Sequence, residues 1–80
     1  MKLPRDVSGA EIVKSLQKMG YAKTRQAGSH IRLTRVTEVE HHVTIPAHDP
    51  LKLGTLAAII ADIAQHMKIS KEETMKLLFE

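Results

Sequence analysis

The chain has 80 residues, and its 12 Lys and Arg outnumber 9 Asp and Glu, which gives a net charge of +3. It contains no cysteine, which excludes disulfide scaffolds and thiolate metal sites, and no apolar run approaches the ~20 residues of a membrane span. Hydrophobic residues make up 42% and aromatic residues only 2%, so we expect one soluble, cytoplasmic domain over residues 1–80 without an aromatic platform for stacking bases.

The first predicted element is a helix that follows Ser8. Ser8 and Glu11 have the spacing of a capping box, and Gly20 suits the left-handed residue that ends a helix. The apolar residues between them recur at helical spacing and predict one buried face: Ile12, Val13, Leu16 and Met19.

Three strands are predicted next, over 21–27, over 30–35, and through Val43 and Ile45 to Pro46. Gly28 and Ser29 suit a tight turn between the first two strands. Ile31 and Leu33 must oppose Val43 and Ile45 to share a buried face, which requires an odd number of loop residues around Thr37 and Glu38. The opposite, open face then carries His30, Arg32, Thr34, His42 and Thr44.

The remaining chain predicts a loop over 47–53, a second helix and a short tail helix. Pro50 breaks the loop, Thr55 is the predicted N-cap of the second helix, and Ser70 with Glu73 forms another capping box. The second helix carries an apolar stripe: Leu56, Ile59, Ile60, Ile63 and Met67. It also carries four alanines, for which packing on the sheet is preferred to packing against a partner: Ala57, Ala58, Ala61 and Ala64. The fold class is α+β, with helices on one face of a three-stranded antiparallel sheet.

His30 is the principal candidate for chemistry. A histidine exchanges protons near neutral pH, and the segment from Lys23 to Arg35 contains four basic residues and no acid. A proton carrier in a positive field suits a polyanionic substrate such as RNA. The alternative is a polar residue on a solvated strand face. Arg25 and Arg32 either offset charge on phosphate oxygens or are merely solvated, and Arg32 is the stronger candidate because it shares a face with His30.

Three further residues have both a functional and a structural interpretation. Gly28 supplies positive φ for the turn or allows RNA to approach closely, and the first is preferred. Ser29 either orients a phosphate oxygen or is only a turn residue. Lys52 lies just before a helix N-terminus, where anions bind, or is a loop lysine without a partner.

The other histidines do not predict a metal site. His41 and His42 are adjacent in a strand and therefore point to opposite faces, and no carboxylate stands at ligand spacing. We expect His48 to hydrogen-bond the loop before the second helix, and His66 to face the C-terminal dipole of that helix. No metal or other cofactor is predicted.

Three motifs in order resemble the HicA family of small toxins that cleave messenger RNA. They are Arg25-Gln26-Ala27-Gly28-Ser29-His30, then Val43-Thr44-Ile45-Pro46-Ala47-His48, then Lys52-Leu53-Gly54-Thr55-Leu56. The resemblance covers nearly the whole chain, and it is the order and separation of the motifs that make it specific.

The resemblance implies a fold like that of a double-stranded-RNA-binding domain. It further implies a metal-independent endoribonuclease with His30 as the catalytic residue, mRNA as the substrate and a HicB-like antitoxin as the partner. Two alternatives remain open on the residues alone. One is a non-catalytic RNA-binding module with the same fold, and the other is a small interaction domain whose basic face meets an acidic protein.

Overall fold

A computed structural model describes residues 3–80 as an α+β domain. Its helices are α1 (Gly9–Lys18), α2 (Leu53–Met67) and α3 (Lys71–Phe79), and its strands are β1 (Ala22–Ala27), β2 (His30–Val36) and β3 (Glu40–Pro46). The strands form one antiparallel sheet in the order β1-β2-β3. The predicted fold class is confirmed; of the predicted domain 1–80, Met1 and Lys2 lie outside the described residues.

Ser8 and Ser70 are the N-caps of α1 and α3, as predicted, but Glu11 and Glu73 accept from the serine hydroxyls and not from the serine backbone N–H groups, as a full capping box requires. Ser8 Oγ accepts a hydrogen bond from the Glu11 backbone N–H at 3.1 Å, and Ser70 Oγ accepts one from Glu73 at 3.0 Å. Each hydroxyl satisfies a backbone donor that the first turn of a helix leaves unpaired. Gly20 follows α1 with φ 97°, so its predicted role at the end of the helix is confirmed.

The predicted N-cap of the second helix is wrong. The cap is Lys52 rather than Thr55, and no side chain bonds to the first turn. The backbone N–H of Leu56 already donates to Lys52 O at 3.0 Å, which places Gly54 and Thr55 inside the helix. The helix therefore starts at Leu53, directly after the loop that contains Pro50.

The register of the sheet is the one that burial requires. Ile31 pairs with Ile45, and Leu33 pairs with Val43, across a loop of three residues between Val36 and Glu40. These four apolar side chains are buried against the helices, and the core continues through Ile12, Leu16, Leu56, Ile60 and Ile63. The predicted odd loop is therefore confirmed, and the other face of the sheet is left to polar residues.

The alanines of α2 do not all pack on the sheet, which corrects that prediction. Ala64 is buried and Ala61 half-buried, but Ala57 and Ala58 are exposed. None of the helices within residues 3–80 combines the length and apolar character that crossing a membrane requires.

Candidate nucleic-acid interface

A two-residue turn positions His30. Ala27 pairs with His30 across it, so Gly28 and Ser29 alone connect β1 to β2. Gly28 has φ 58°, a value that a side chain disfavours, and a Cβ added there would meet no atom within 4 Å. The backbone conformation therefore requires this glycine, as predicted, whereas packing within the protein does not.

Backbone hydrogen bonds hold this turn against the end of β3, which lies at the same end of the sheet. The carbonyl of Ser29 accepts from the Ala47 N–H at 2.6 Å, and the carbonyl of His48 accepts from the Gly9 N–H at 2.8 Å. Gly9 touches the strand end so closely that an added Cβ would lie 2.0 Å from Pro46 O. His48 thus bonds through its backbone. The turn and the start of α1 are joined through the segment that follows β3.

The His30 side chain is exposed on the open face of the sheet. Its strand neighbours in register are Ala27 and Pro46, two small or rigid residues that leave space around the ring. Within residues 3–80 no side chain hydrogen-bonds to the imidazole. Both ring nitrogens of His30 are therefore available to a ligand.

Two arginines lie side by side next to His30 on the same face. A bulge in β1 between Lys23 and Arg25 makes Arg25 the direct cross-strand partner of Arg32. Both side chains are exposed, and among residues 3–80 neither guanidinium has a carboxylate within 4.0 Å. Like charges placed opposite each other destabilise a sheet. The pair is therefore a site that a bound anion would stabilise.

A polar chain that was not predicted crosses the same face. His42 Nδ1 and Thr34 Oγ1 form a hydrogen bond of 2.8 Å, and Thr34 Oγ1 lies 3.1 Å from Thr24 Oγ1. On the other side of the ring, His42 Nε2 lies 2.6 Å from Glu40 Oε1 as a charge contact. Residues two apart in a strand share a face, and this spacing was the available signal for the Glu40–His42 pair.

Lys52 does not join this group. It is the N-cap of α2, and α2 packs on the core face of the sheet, opposite to the face that bears His30. The structure therefore brings together His30, Arg25 and Arg32, with Gly28 and Ser29 forming the adjacent turn. Lys52 is an exposed cation on a separate element.

The other side of β3 carries a second polar cluster. The Tyr21 hydroxyl lies 2.7 Å from His41 Nδ1, and His41 Nε2 lies 3.2 Å from Asp62 Oδ1. Asp62 accepts from Nε2, so Tyr21 donates to Nδ1 of the neutral ring. Burial raises the pKa of Tyr21, with Asp62 acting in the same direction and Arg35 against it.

His66 completes this cluster from the last turn of α2, as its predicted helix-end position requires. Its ring stacks on that of His41. The pKa of His66 is lowered by burial first, then by the nearby His41 and Arg35, while Asp62 acts in the opposite direction.

His41 and His42 do point to opposite faces of the sheet. His41 contacts Tyr21 and Asp62 on the helix side, and His42 contacts Glu40 and Thr34 on the open side. In the part of the chain that the structure describes, no three His, Asp or Glu side chains are arranged to hold a metal ion.

A helix, a three-stranded antiparallel sheet with one exposed polar face and two further helices make up an α+β domain of the double-stranded-RNA-binding type. Residues 9–65 match the family model described as the HicA toxin of bacterial toxin-antitoxin. The match spans more than half of the chain, which therefore belongs to the HicA toxin family. No curated protein and no solved structure matches the chain significantly.

Proposed function

We propose that this toxin is an endoribonuclease that cleaves messenger RNA through His30 and that a HicB-like antitoxin neutralises it. The observation that carries the proposal is the position of His30 within the segment that matches the family. There the imidazole is exposed beside the unneutralised pair Arg25 and Arg32. A proton carrier next to an anion site is what cleavage of a phosphodiester needs.

The chemistry uses the RNA's own nucleophile. The neutral imidazole of His30 removes the proton from a 2′-hydroxyl, and the 2′-oxygen attacks the adjacent phosphorus. The bond from phosphorus to the 5′-oxygen then breaks, and the leaving oxygen takes up a proton. One imidazole cannot give and take a proton at the same instant, so water, Ser29 or a substrate group supplies the second proton transfer.

The arginine pair and the turn support this reaction by binding. Negative charge grows on the non-bridging phosphate oxygens during attack, and two guanidiniums beside the phosphate offset it. Gly28 keeps the turn free of side-chain atoms where the RNA backbone approaches, and the Ser29 hydroxyl orients a phosphate oxygen. Lys52 contacts RNA only where the RNA strand continues past the edge of the sheet, because Lys52 lies on another element.

No step of this reaction requires a metal ion. The nucleophile belongs to the RNA, the base is an imidazole, and the charge is offset by guanidiniums. The positive face that binds RNA is also the natural surface for an acidic antitoxin, because complementary charge speeds association. An antitoxin bound there would block the RNA directly.

A non-catalytic RNA-binding module is the second candidate, and one observation favours it. Catalytic histidines are usually oriented by a hydrogen bond to the second ring nitrogen, and within residues 3–80 His30 has none. In that case the arginine pair binds RNA and His30 only contacts it.

Comparison of His30→Ala with the wild-type chain separates these candidates. Removing the exposed imidazole of His30 opens no core cavity, so the free energy of unfolding should change by no more than about 0.5 kcal/mol. We expect RNA cleavage to fall by at least about 100-fold while RNA binding is retained. His48→Ala, which removes another exposed histidine, is the matched control and should cleave normally. A folded His30→Ala chain that still cleaves contradicts the assignment, and a wild-type chain that binds RNA without cleaving it supports the binding module.

A further inference from the structure

A shallow groove crosses the open face beside His30 and is chemically divided along its length. Its lining is Thr24, Arg25, Arg32, Thr34, Glu40 and His42. In the register of the sheet, the arginine pair lies nearer to His30. His42 and Glu40 belong to β3 and lie farther from His30, opposite Thr34 and Val36 of β2. One end of the groove is thus cationic, and the other end offers a carboxylate beside a flat ring.

The imidazole of His42 has a partner on each side. Nδ1 is hydrogen-bonded to Thr34 Oγ1 at 2.8 Å, and Nε2 lies 2.6 Å from Glu40 Oε1, so both partners restrict the ring. The side chains of His42 and Glu40 nevertheless remain 38% and 58% exposed. A ring that is already ordered loses little further entropy when a ligand stacks on it. His42 is therefore suited to stacking, and the second carboxylate oxygen of Glu40 is suited to accepting a hydrogen bond.

We propose that this groove is a nucleobase subsite in which a base stacks on His42 and donates an amino or imino hydrogen to Glu40. The inference rests on the proposed function, because it requires RNA on this face. His30, Arg32 and Thr34 alternate along β2, so each step is about 6–7 Å, which is close to the step between successive phosphates in RNA. With the cleaved phosphate held between His30 and the arginine pair, the nucleotide one step further along the groove places its base at His42.

The chemistry of Glu40 makes this subsite selective. An ionised carboxylate accepts hydrogen bonds and cannot donate them. Cytosine, adenine and guanine each offer an exocyclic amino group, and carboxylate contacts to such groups are a known form of base recognition. Uracil instead places a carbonyl oxygen on each side of its one N–H, and both oxygens are repelled by the carboxylate. The subsite therefore disfavours uracil.

Glu40→Gln tests the subsite without disturbing the ring. The amide oxygen keeps the position of the carboxylate oxygen beside His42 Nε2, while the amide NH₂ replaces the exposed acceptor with a donor that suits a uracil carbonyl. Glu38→Gln is the matched control, because it makes the same charge change in the hairpin loop, outside the groove. The readout is the base frequency around cleavage sites in a random-sequence RNA pool.

We expect wild type and Glu38→Gln to cleave about fivefold or more less often when uracil occupies one fixed position near the cut, and Glu40→Gln to lose this bias. A Glu40→Gln profile identical to that of wild type overturns the inference.

If the wild-type chain cleaves no RNA, the proposed function fails, and the subsite is tested by binding alone. Four RNA pentamers that differ only in the central base are titrated against wild type and Glu40→Gln. The subsite is supported if the uracil pentamer binds more weakly than the others to wild type but not to Glu40→Gln. Equal binding of all four pentamers to wild type overturns it.

Discussion

The ring of His41 lies flat against that of His66, with the centroids 4.1 Å apart and 8° between the planes. His41 comes from the sheet and His66 from the last turn of α2, so this contact joins the two layers. Tyr21, Arg35 and Asp62 are the other titratable groups that act on the pair. Burial first, and then the nearby His41 and Arg35, disfavour a positive charge on His66, so the stability of the fold depends on the protonation of His66.

We predict that acidification destabilises the fold through His66. Its pKa is lowered in the folded state, so the fold favours the neutral ring. The stability that this provides is complete above about pH 6.5 and is lost as the pH falls through that value toward the lower folded pKa. His66→Gln should therefore flatten the fall of Tm between about pH 7 and pH 5. His48→Gln is the control, and an equal flattening by both variants would rule out His66 as the source.

The turn glycine gives a second prediction. Gly28→Ala should lower the free energy of unfolding by about 1–2 kcal/mol, because alanine disfavours φ near 58°. Gly28→Asn should cost less, since asparagine adopts this conformation more readily. No atom lies within 4 Å of the added Cβ, so the cost comes from the backbone alone. Urea unfolding measures both variants, and equal stability of wild type and Gly28→Ala would refute the explanation.

A third prediction concerns the close contact at the start of α1. In Gly9→Ala the new Cβ would lie 2.0 Å from Pro46 O, a backbone atom that cannot move away cheaply. We expect a loss of about 2 kcal/mol or more, as for other overpacked sites. Gly54→Ala is the matched control in the first turn of α2, where an added Cβ meets nothing within 4 Å. It should be neutral or stabilising by up to about 1 kcal/mol.

The proposed mechanism predicts a need for the 2′-hydroxyl and no need for a divalent metal. A DNA or 2′-methoxy copy of a cleaved RNA should bind and resist cleavage, because the nucleophile is missing. Excess chelator should leave the cleavage rate unchanged. Activity that disappears in chelator and returns with one added metal ion would show that the mechanism is wrong.

The last prediction locates the antitoxin. If it covers the open face, Arg32→Glu should weaken both RNA cleavage and antitoxin binding, and association should slow as salt rises. Lys14→Glu makes the same charge reversal at an exposed position on α1 and should change neither. Reduced cleavage with unchanged antitoxin affinity at low salt would place the partner elsewhere, for instance on the outer side of the helices.

Local signals and the burial requirement were enough to predict most of the fold. The pairs Ser8–Glu11 and Ser70–Glu73 specify helix starts through their own hydrogen bonds, and the apolar alternation of β2 and β3 allows one register only. The sequence predicts Thr55 as the N-cap of α2 because threonine favours N-cap positions. What decides the start of α2 is the geometry of the preceding loop, which side-chain patterns do not encode.

The candidate site was predictable only in part. The face shared by His30 and Arg32 follows from strand alternation. The pairing of Arg25 with Arg32 depends on a bulge in β1 that the residue types of this strand do not predict. The predicted third strand does not include Glu40, because a strand that begins with exposed polar residues has no apolar pattern to mark its start.

The bond from Ala47 to Ser29 has a consequence for how the site can be altered. It ties the turn before His30 to the segment that follows β3 and leads into α2. A hairpin copied from this chain into another scaffold would keep its turn but not its orientation relative to the helices. The orientation of this turn is therefore a property of the assembled domain, and a short peptide with the same sequence would not reproduce it.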